Sequence, residues 1–214
     1  MKKFAGFERY FNEPLGNIAV GAIMTRPNGR SKNFSVATNL FRLIDKKKED
    51  FINAGKPQNH FYYSGASIHV NLGGEATTSL GKTEASIGFA TRNSAVVIIE
   101  NGITTDLYYD DLIDDLEKVW FKRKYHTYSR NVFLVTSVIV SRRAKVFYAT
   151  QNKTSVRLKH HDGLPIVKDL DLIHADFALG REARSVRMMD VHNQCTVLFS
   201  LVRWQNKKER FVGF

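Results

Sequence analysis

The sequence predicts an α+β fold, a twisted and mostly antiparallel sheet with flanking helices, in one domain over residues 1–214. Two observations predict it. Apolar and β-branched runs of strand length recur at residues 95–99, 132–150 and 197–204, while apolar residues at helical spacing are confined to short stretches. At 214 residues, with 43% hydrophobic and 12% aromatic content, the chain also carries enough apolar side chains for a sizeable core.

From the N-terminus, Phe4, Phe7 and Phe11 fall at helical spacing and predict a short helix over residues 3–11, ended by Pro14 and Gly16. Residues 18–24 read as a strand. Arg26-Pro-Asn-Gly-Arg30 reads as a turn, because Asn28-Gly29 tolerates positive φ, and it leaves Arg26, Arg30 and Lys32 on an exposed loop. Ser35 is placed to cap a helix carrying Val36, Leu40, Phe41 and Ile44, with Lys46-Lys47-Lys48 at its negative end. Between Phe61 and Asn101 the pattern changes to glycine-interrupted strands: residues 68–72, then Gly73-Gly74 and small residues to Leu80-Gly81, then 86–89 and 95–99, closed by Asn101-Gly102. Glycine and threonine at this density leave strand register weakly specified, so such a ribbon is able to pair again elsewhere.

Leu107, Leu112, Ile113, Leu116, Val119 and Trp120 predict an amphipathic helix whose carboxylates, Asp106, Asp110, Asp111, Asp114, Asp115 and Glu117, face water and favour its N-terminal half. Residues 132–150 exceed an ordinary strand, so they form either a hairpin turning at Ser141-Arg142-Arg143 or one long ribbon. Strands at residues 155–159, 173–179, 185–189, 197–204 and 210–212 complete the pattern. The 197–204 run is apolar on both faces and therefore central.

Charge is distributed one-sidedly. The formal net charge is +11 and the pI about 9.8. From Lys118 to His161 the chain carries Lys118, Lys122, Arg123, Lys124, Arg130, Arg142, Arg143, Lys145, Lys153, Arg157 and Lys159 with no aspartate or glutamate. Basic ribbons of this kind face phosphates, of nucleic acid or of a lipid surface.

Catalytic patterns fail. Gly81-Lys82-Thr83 ends like a phosphate-binding loop, but Ala76 stands where that loop needs its first glycine, and no apolar helix follows. No nucleophile elbow is present, and His160, His161, His174 and His192 lack metal-ligand spacing. The expectation is a protein that is not an enzyme and holds no metal or cofactor. The single cysteine, Cys195, allows no internal disulfide and sits in an apolar strand as a small core residue. Glu8, Arg9, Asn12 and Glu13 interrupt any secretory signal, and no run approaches the ~20 apolar residues of a membrane helix, so a cytoplasmic protein is expected.

The order of these features resembles the pore-forming domain of gasdermins, above all the compact bacterial members and the fungal cell-death relatives. The resemblance runs from the N-terminal helix and strand and the Leu40-Phe41 helix, through Leu72-Gly-Gly and Ser79-Leu-Gly-Lys-Thr, to Ser94-Ala-Val-Val-Ile-Ile. It continues through the acidic helix, Val132-Phe-Leu-Val-Thr-Ser and Val197-Leu-Phe-Ser-Leu-Val-Arg. It implies a monomer that binds acidic membrane lipid, oligomerises, and refolds two regions, Ser64 to Ile99 and Val132 to Met189, into the hairpins of a large β-barrel pore. Such a pore kills the cell, and in bacteria acts against phage, with the active form at the inner membrane. It further implies lipid contacts from Lys2, Lys3, Arg9, Arg26, Arg30 and Lys32, with Arg142, Arg143 and Lys145 at an interface or in a wet lumen. The N-terminal Met1-Lys-Lys-Phe-Ala lacks the lipidated cysteine of many bacterial relatives, and the chain stops at Phe214 without an inhibitory segment. Control is therefore expected from a protease or a regulatory partner. Two other classes fit the charge: a nucleic-acid module stacking bases on Tyr125, Tyr128, Phe133, Phe147 and Tyr148, and a structural interaction protein.

Overall fold

The computed structural model describes residues 2–3, 10–26, 34–44, 46–71, 84–108, 110–128, 130–159 and 185–213. In chain order the strands are β1 (Lys2–Lys3), β2 (Tyr10–Gly16), β3 (Ala22–Thr25), β4 (Ser35–Asn39), β5 (Ile52–Ala54), β6 (Gln58–Ser64), β7 (Ala66–Asn71) and β8 (Glu84–Phe89). They continue as β9 (Ala95–Leu107), β10 (Val132–Ser141), β11 (Arg143–Ala149), β12 (Thr154–Lys159), β13 (Val186–Val191), β14 (Cys195–Gln205) and β15 (Arg210–Gly213). The helix α1 (Ile113–Lys122) lies between β9 and β10. All described pairings are antiparallel, in one large sheet with the backbone order β1-β2-β14-β10-β9-β11-β13 and a small sheet β12-β8-β7. The α+β architecture expected from the sequence is the one found.

Long ribbons organise the large sheet. β10 and β11 do not form a hairpin; both lie along β9 in one register, from Ser137↔Asp106 and Val140↔Ile103 to Arg143↔Glu100 and Tyr148↔Ala95. Of the two readings of residues 132–150, the long ribbon is therefore correct. Its interior strand is held on both sides, since β14 pairs β10 and β13 pairs β11. Apolar side chains then cover both faces. Val132, Phe133, Leu134 and Val135 join α1 in one core, Ala144, Val146 and Tyr148 build a second, and Phe147 and Ala149 a third.

A crease crosses these ribbons at one level, between β5 and β6, at Asn101-Gly102, at Arg142, and between β13 and β14. Asn101-Gly102 does not close its strand as the sequence suggests; β9 bends there, with Asn101 at φ 49, and continues to Leu107 because β5 and β10 hold its second half. Gly102 permits the bend by close approach. A Cβ there would lie 2.8 Å from His60 Cδ2 and Ile99 Cγ2. Buried Ser141 pins the same level by donating to Glu100 O at 2.6 Å while its oxygen accepts from Arg143 N at 3.0 Å.

Two predicted helices are strands. In place of a helix over residues 3–11, β1 pairs β2 through Lys2↔Phe11 and Lys3↔Tyr10, and Pro14 lies within β2, between its registered contacts with β14. Residues 4–9 lie outside the described set. Ser35 does not cap a helix either: Ser35–Asn39 pairs β3, and Asn39 Oδ1 instead accepts from Phe41 N at 3.1 Å, capping a single 3-10 turn at Leu40–Arg42. β-branched Val36 and Thr38 suit that edge position beside β3. The acidic helix forms later than its apolar pattern suggests, since Leu107 ends β9 and α1 starts at Ile113.

Candidate functional site

The small sheet is the large sheet folded back on itself. β8 and β9 are one chain direction, as are β11 and β12, and the two ribbons keep one register across the fold: Lys159↔Glu84 and Thr154↔Phe89 in the small sheet, Tyr148↔Ala95 and Ser137↔Asp106 in the large one. β6 and β7 repeat the arrangement beside them, with Ser64↔Ala95 below the fold and Ala66↔Phe89 above it. There, only Gly65 on one strand faces residues 90–94 on the other, an offset of four residues. An even offset keeps every side chain on its own face if the bulge is removed.

The fold line is held by few, specific contacts. Gly65 adopts φ +57, and a Cβ there would meet Ser94 Oγ at 2.5 Å. Ala90 N donates to Gly65 O at 2.8 Å, Thr91 N to Ser94 Oγ at 3.2 Å, and Arg92 N to Asn152 Oδ1 at 2.7 Å. Ladder bonds persist through the bend, from Ala149 N to Ser94 O at 2.9 Å and from Lys153 N to Ala90 O at 3.2 Å. On the far side Thr150 N donates to Ser185 O at 2.7 Å, and the Thr154 and Ser185 hydroxyls hydrogen-bond each other. Apolar burial closes the fold. Ile87, Phe89 and Val156 of the small sheet pack on Val96, Ile98, Phe147, Ala149 and Val186 of the large one. Three such side chains at roughly 1.5–3 kcal/mol each set the scale of what must be offset to lift the small sheet away.

Among the described residues, the expected lipid contacts are spread over separate elements. The backbones of Lys2 and Lys3 lie in β1, while Arg9, Arg30 and Lys32 fall outside the described residues. Arg26 is half-buried rather than free on a loop, with its guanidinium 4.5 Å from the Phe34 ring centroid and 5.6 Å from that of Phe133. Arg142 and Arg143 are exposed at the crease, where Arg143 reaches Glu100 at 3.3 Å. They border an open cavity of about 450 Å³ with Ile103, Val140 and Gln194. Lys145 is buried and reaches its cross-strand neighbour Asp190 at 3.9 Å. The proposed inserting regions, residues 64–99 and 132–189, contain β7, β8 and β12, the whole small sheet, although residues 72–83 and 160–184 lie outside the described set. Local sequence marks the fold line at Gly65, at Asn93 and at the Asn152-Lys153 turn, but not that residues 65, 90–94, 149–154 and 185 meet along it.

The nucleic-acid reading loses its stacking platform. Phe133, Phe147 and Tyr148 are core residues at 0%, 0% and 2% exposure, leaving Tyr128 exposed and Tyr125 half-buried. The Gly81-Lys82-Thr83 segment and His160, His161 and His174 fall outside the described residues. His192 lies 3.6 Å from Asp190, and no group of three or more metal-ligating side chains occurs among the described residues. Cys195 is buried, and burial pushes its thiol pKa up. No helix among the described residues is long and apolar enough to cross a membrane, which says nothing of crossing with strands.

No family model matches the chain, and no curated protein matches it. Solved structures similar to it include a bacterial gasdermin from Bradyrhizobium tropiciagri, at 13% identity over 96% of this chain and 86% of that one, with a TM-score of 0.36. Another is the cryo-EM structure of the Gasdermin A3 membrane pore, at 8% identity over 94% of this chain and 88% of that one, with a TM-score of 0.32. At these identities no residue role passes from either structure to this chain.

Proposed function

We propose that this chain is a membrane pore former, a gasdermin-like cell-death effector that straightens its folded sheet into membrane-spanning hairpins. The observation that carries this reading is the shared register of residues 84–106 and 137–159 across the fold line. Opening that fold needs no re-pairing between the two ribbons. A strand crosses a bilayer with ~9–11 residues, fewer than either ribbon supplies. In hydrocarbon every backbone amide must be paired, so a single copy cannot insert and a closed ring of copies can. β6 and β13 lie at opposite edges of the four ribbons concerned and are the strands through which neighbours would join.

Acidic lipid is the first partner in this reading. Lys2, Lys3, Arg9, Arg26, Arg30, Lys32, Arg142 and Arg143 supply the attachment, at ~1 kcal/mol for each cation near an anionic surface. Lys145 becomes available only when its strand leaves Asp190 and its buried site. The inserting segments are residues 64–99 and 132–189, and the sequence of events takes the chain from the cytoplasm to the inner membrane, killing a phage-infected bacterial cell. A protease or a regulatory partner would release the folded form. Dye release from liposomes of acidic and neutral composition tests the reading: leakage preferring acidic lipid is expected. Intact liposomes together with salt-sensitive binding of single-stranded RNA or DNA would overturn it.

A further inference from the structure

The acidic helix carries opposite charge to opposite edges of the sheet. Its start is tied to the β5 edge, where Tyr108 N donates to Phe51 O at 2.9 Å and Lys46 Nζ meets Asp115 at 2.7 Å. Its end is tied to the β15 edge, through Trp120 against Phe211 at 5.0 Å and Phe121 against Trp204 at 5.7 Å between ring centroids. From β5 through β9, β10 and β14 to β15 is four inter-strand steps, about 19 Å at ~4.8 Å each. α1, at about 15 Å for ten residues, spans most of that width.

At the β5 edge Asp110, Asp111 and Asp114 are exposed, and Tyr108 and Ile113 are 49% and 38% exposed beside them. Lys46 there is committed to Asp115, and Lys47 and Lys48 are offset by exposed Glu49 and Asp50. At the β15 edge Lys122, Arg123, Lys124, Lys207, Lys208 and Arg210 are exposed, with Glu209 the one carboxylate in residues 122–130 and 205–210. Phe121 and Tyr128 are 50% and 60% exposed among them. Four of the large exposed hydrophobic residues thus sit toward the two ends of one helix, one pair among mostly acidic and the other among mostly basic side chains. Apolar centres with polar rims are how protein interfaces are built.

We propose that these two ends are the halves of one head-to-tail contact between copies of this chain, the acidic end of each protomer against the basic end of the next. The surfaces differ, so the contact is heterologous and propagates sideways, closing a ring where the rotation allows. It deepens the pore-forming reading by naming a contact that would set copies edge to edge. The rings at the basic end favour a protein partner over unpaired bases. Phe121 is packed at 4.6 Å against the tilted His126 ring and meets Trp204 at a T-shaped angle, which leaves less of the ring open to a stacking base.

Charge reversal tests it. One variant carries Asp110→Lys, Asp111→Lys and Asp114→Lys; another carries Lys207→Glu, Lys208→Glu and Arg210→Glu. Chemical cross-linking, in low-salt solution and on acidic-lipid liposomes, reads assembly, and dye release reads pores. Each variant alone should assemble at least about tenfold less than the unaltered chain, since like charges then face each other. An equimolar mixture of the two should recover, because every contact in an alternating array is again complementary, and high salt should weaken that recovery. Unchanged cross-linking in either variant, or a mixture no better than its parts, overturns the contact even if dye release is normal. Loss of liposome co-sedimentation by the basic-end variant that the mixture does not restore would assign that end to lipid and overturn it likewise. If the unaltered chain releases no dye while the mixture still recovers cross-linking, the pore-forming reading fails and the contact stands.

Discussion

At single positions, Gly65 is the residue most exposed to test. Its φ of +57 is unfavourable for side chains other than glycine, and its missing Cβ leaves room for Ser94 Oγ. A straight strand imposes neither demand. Gly65→Ala should therefore destabilise the folded-back form by about 1–3 kcal/mol, seen as a lower thermal midpoint, and should raise the rate of liposome leakage. A stabler protein, or one that leaks more slowly, would contradict the fold-line reading. Asp115 gives a pH-dependent counterpart. The hydrogen bond from Lys46 foremost, helped by the Lys46 and Lys118 charges, holds its carboxyl below the ordinary value of 3.8 against the opposing effect of burial. A pKa lowered in the folded state contributes stability that is complete above the unfolded value and disappears as pH falls through the lowered one. The difference in thermal midpoint between the unaltered chain and Asp115→Asn should be present at neutral pH and vanish in acid below that range.

Among the elements, those legible in the sequence are the ones whose apolar pattern admits a single period. β14 and β10 read as strands because Val197-Leu-Phe and Val132-Phe-Leu-Val are apolar on both faces, and both are buried on both faces. The early segments misled because apolar residues spaced at three and four satisfy a helical count, while their real partners, β14 for β2 and β3 for β4, lie far away or depend on a shared edge. Asn101-Gly102 carried a turn signal that local chemistry cannot distinguish from a bend. What decides is long-range: β5, β6, β10 and β11 grip β9 on either side of it. Gly102→Ala should accordingly cost about 1–3 kcal/mol through overlap with His60, Ile99 and Ile139, measurable by denaturant unfolding. An effect below a few tenths would show that the crease relaxes freely. The candidate site followed the same rule: its segments were visible as a glycine-rich ribbon and a long basic one, but their meeting along one line was not.

For the molecule as a whole, the decisive question is whether the small sheet must leave the large one. Thr154 and Ser185 sit on opposite sides of the fold line with their hydroxyls in contact. Thr150 already faces Ser185 in the β11–β13 register, so a straightened ribbon would carry Thr154 four residues beyond that partner, about 13 Å at ~3.3 Å per residue. A disulfide cannot span that distance. The double variant Thr154→Cys, Ser185→Cys should therefore be locked in the folded form when oxidised, with Cys195 buried away from the exchange. Oxidised protein should bind acidic liposomes like the unaltered chain yet release dye at least about tenfold more slowly, because attachment uses surface cations whereas insertion needs closed, fully paired strands. Reductant added to the same liposomes should restore release. Full leakage from the oxidised form, with the bond verified by mass, would mean that the membrane is breached without straightening. The conserved register across the fold would then be a feature of sheet construction alone.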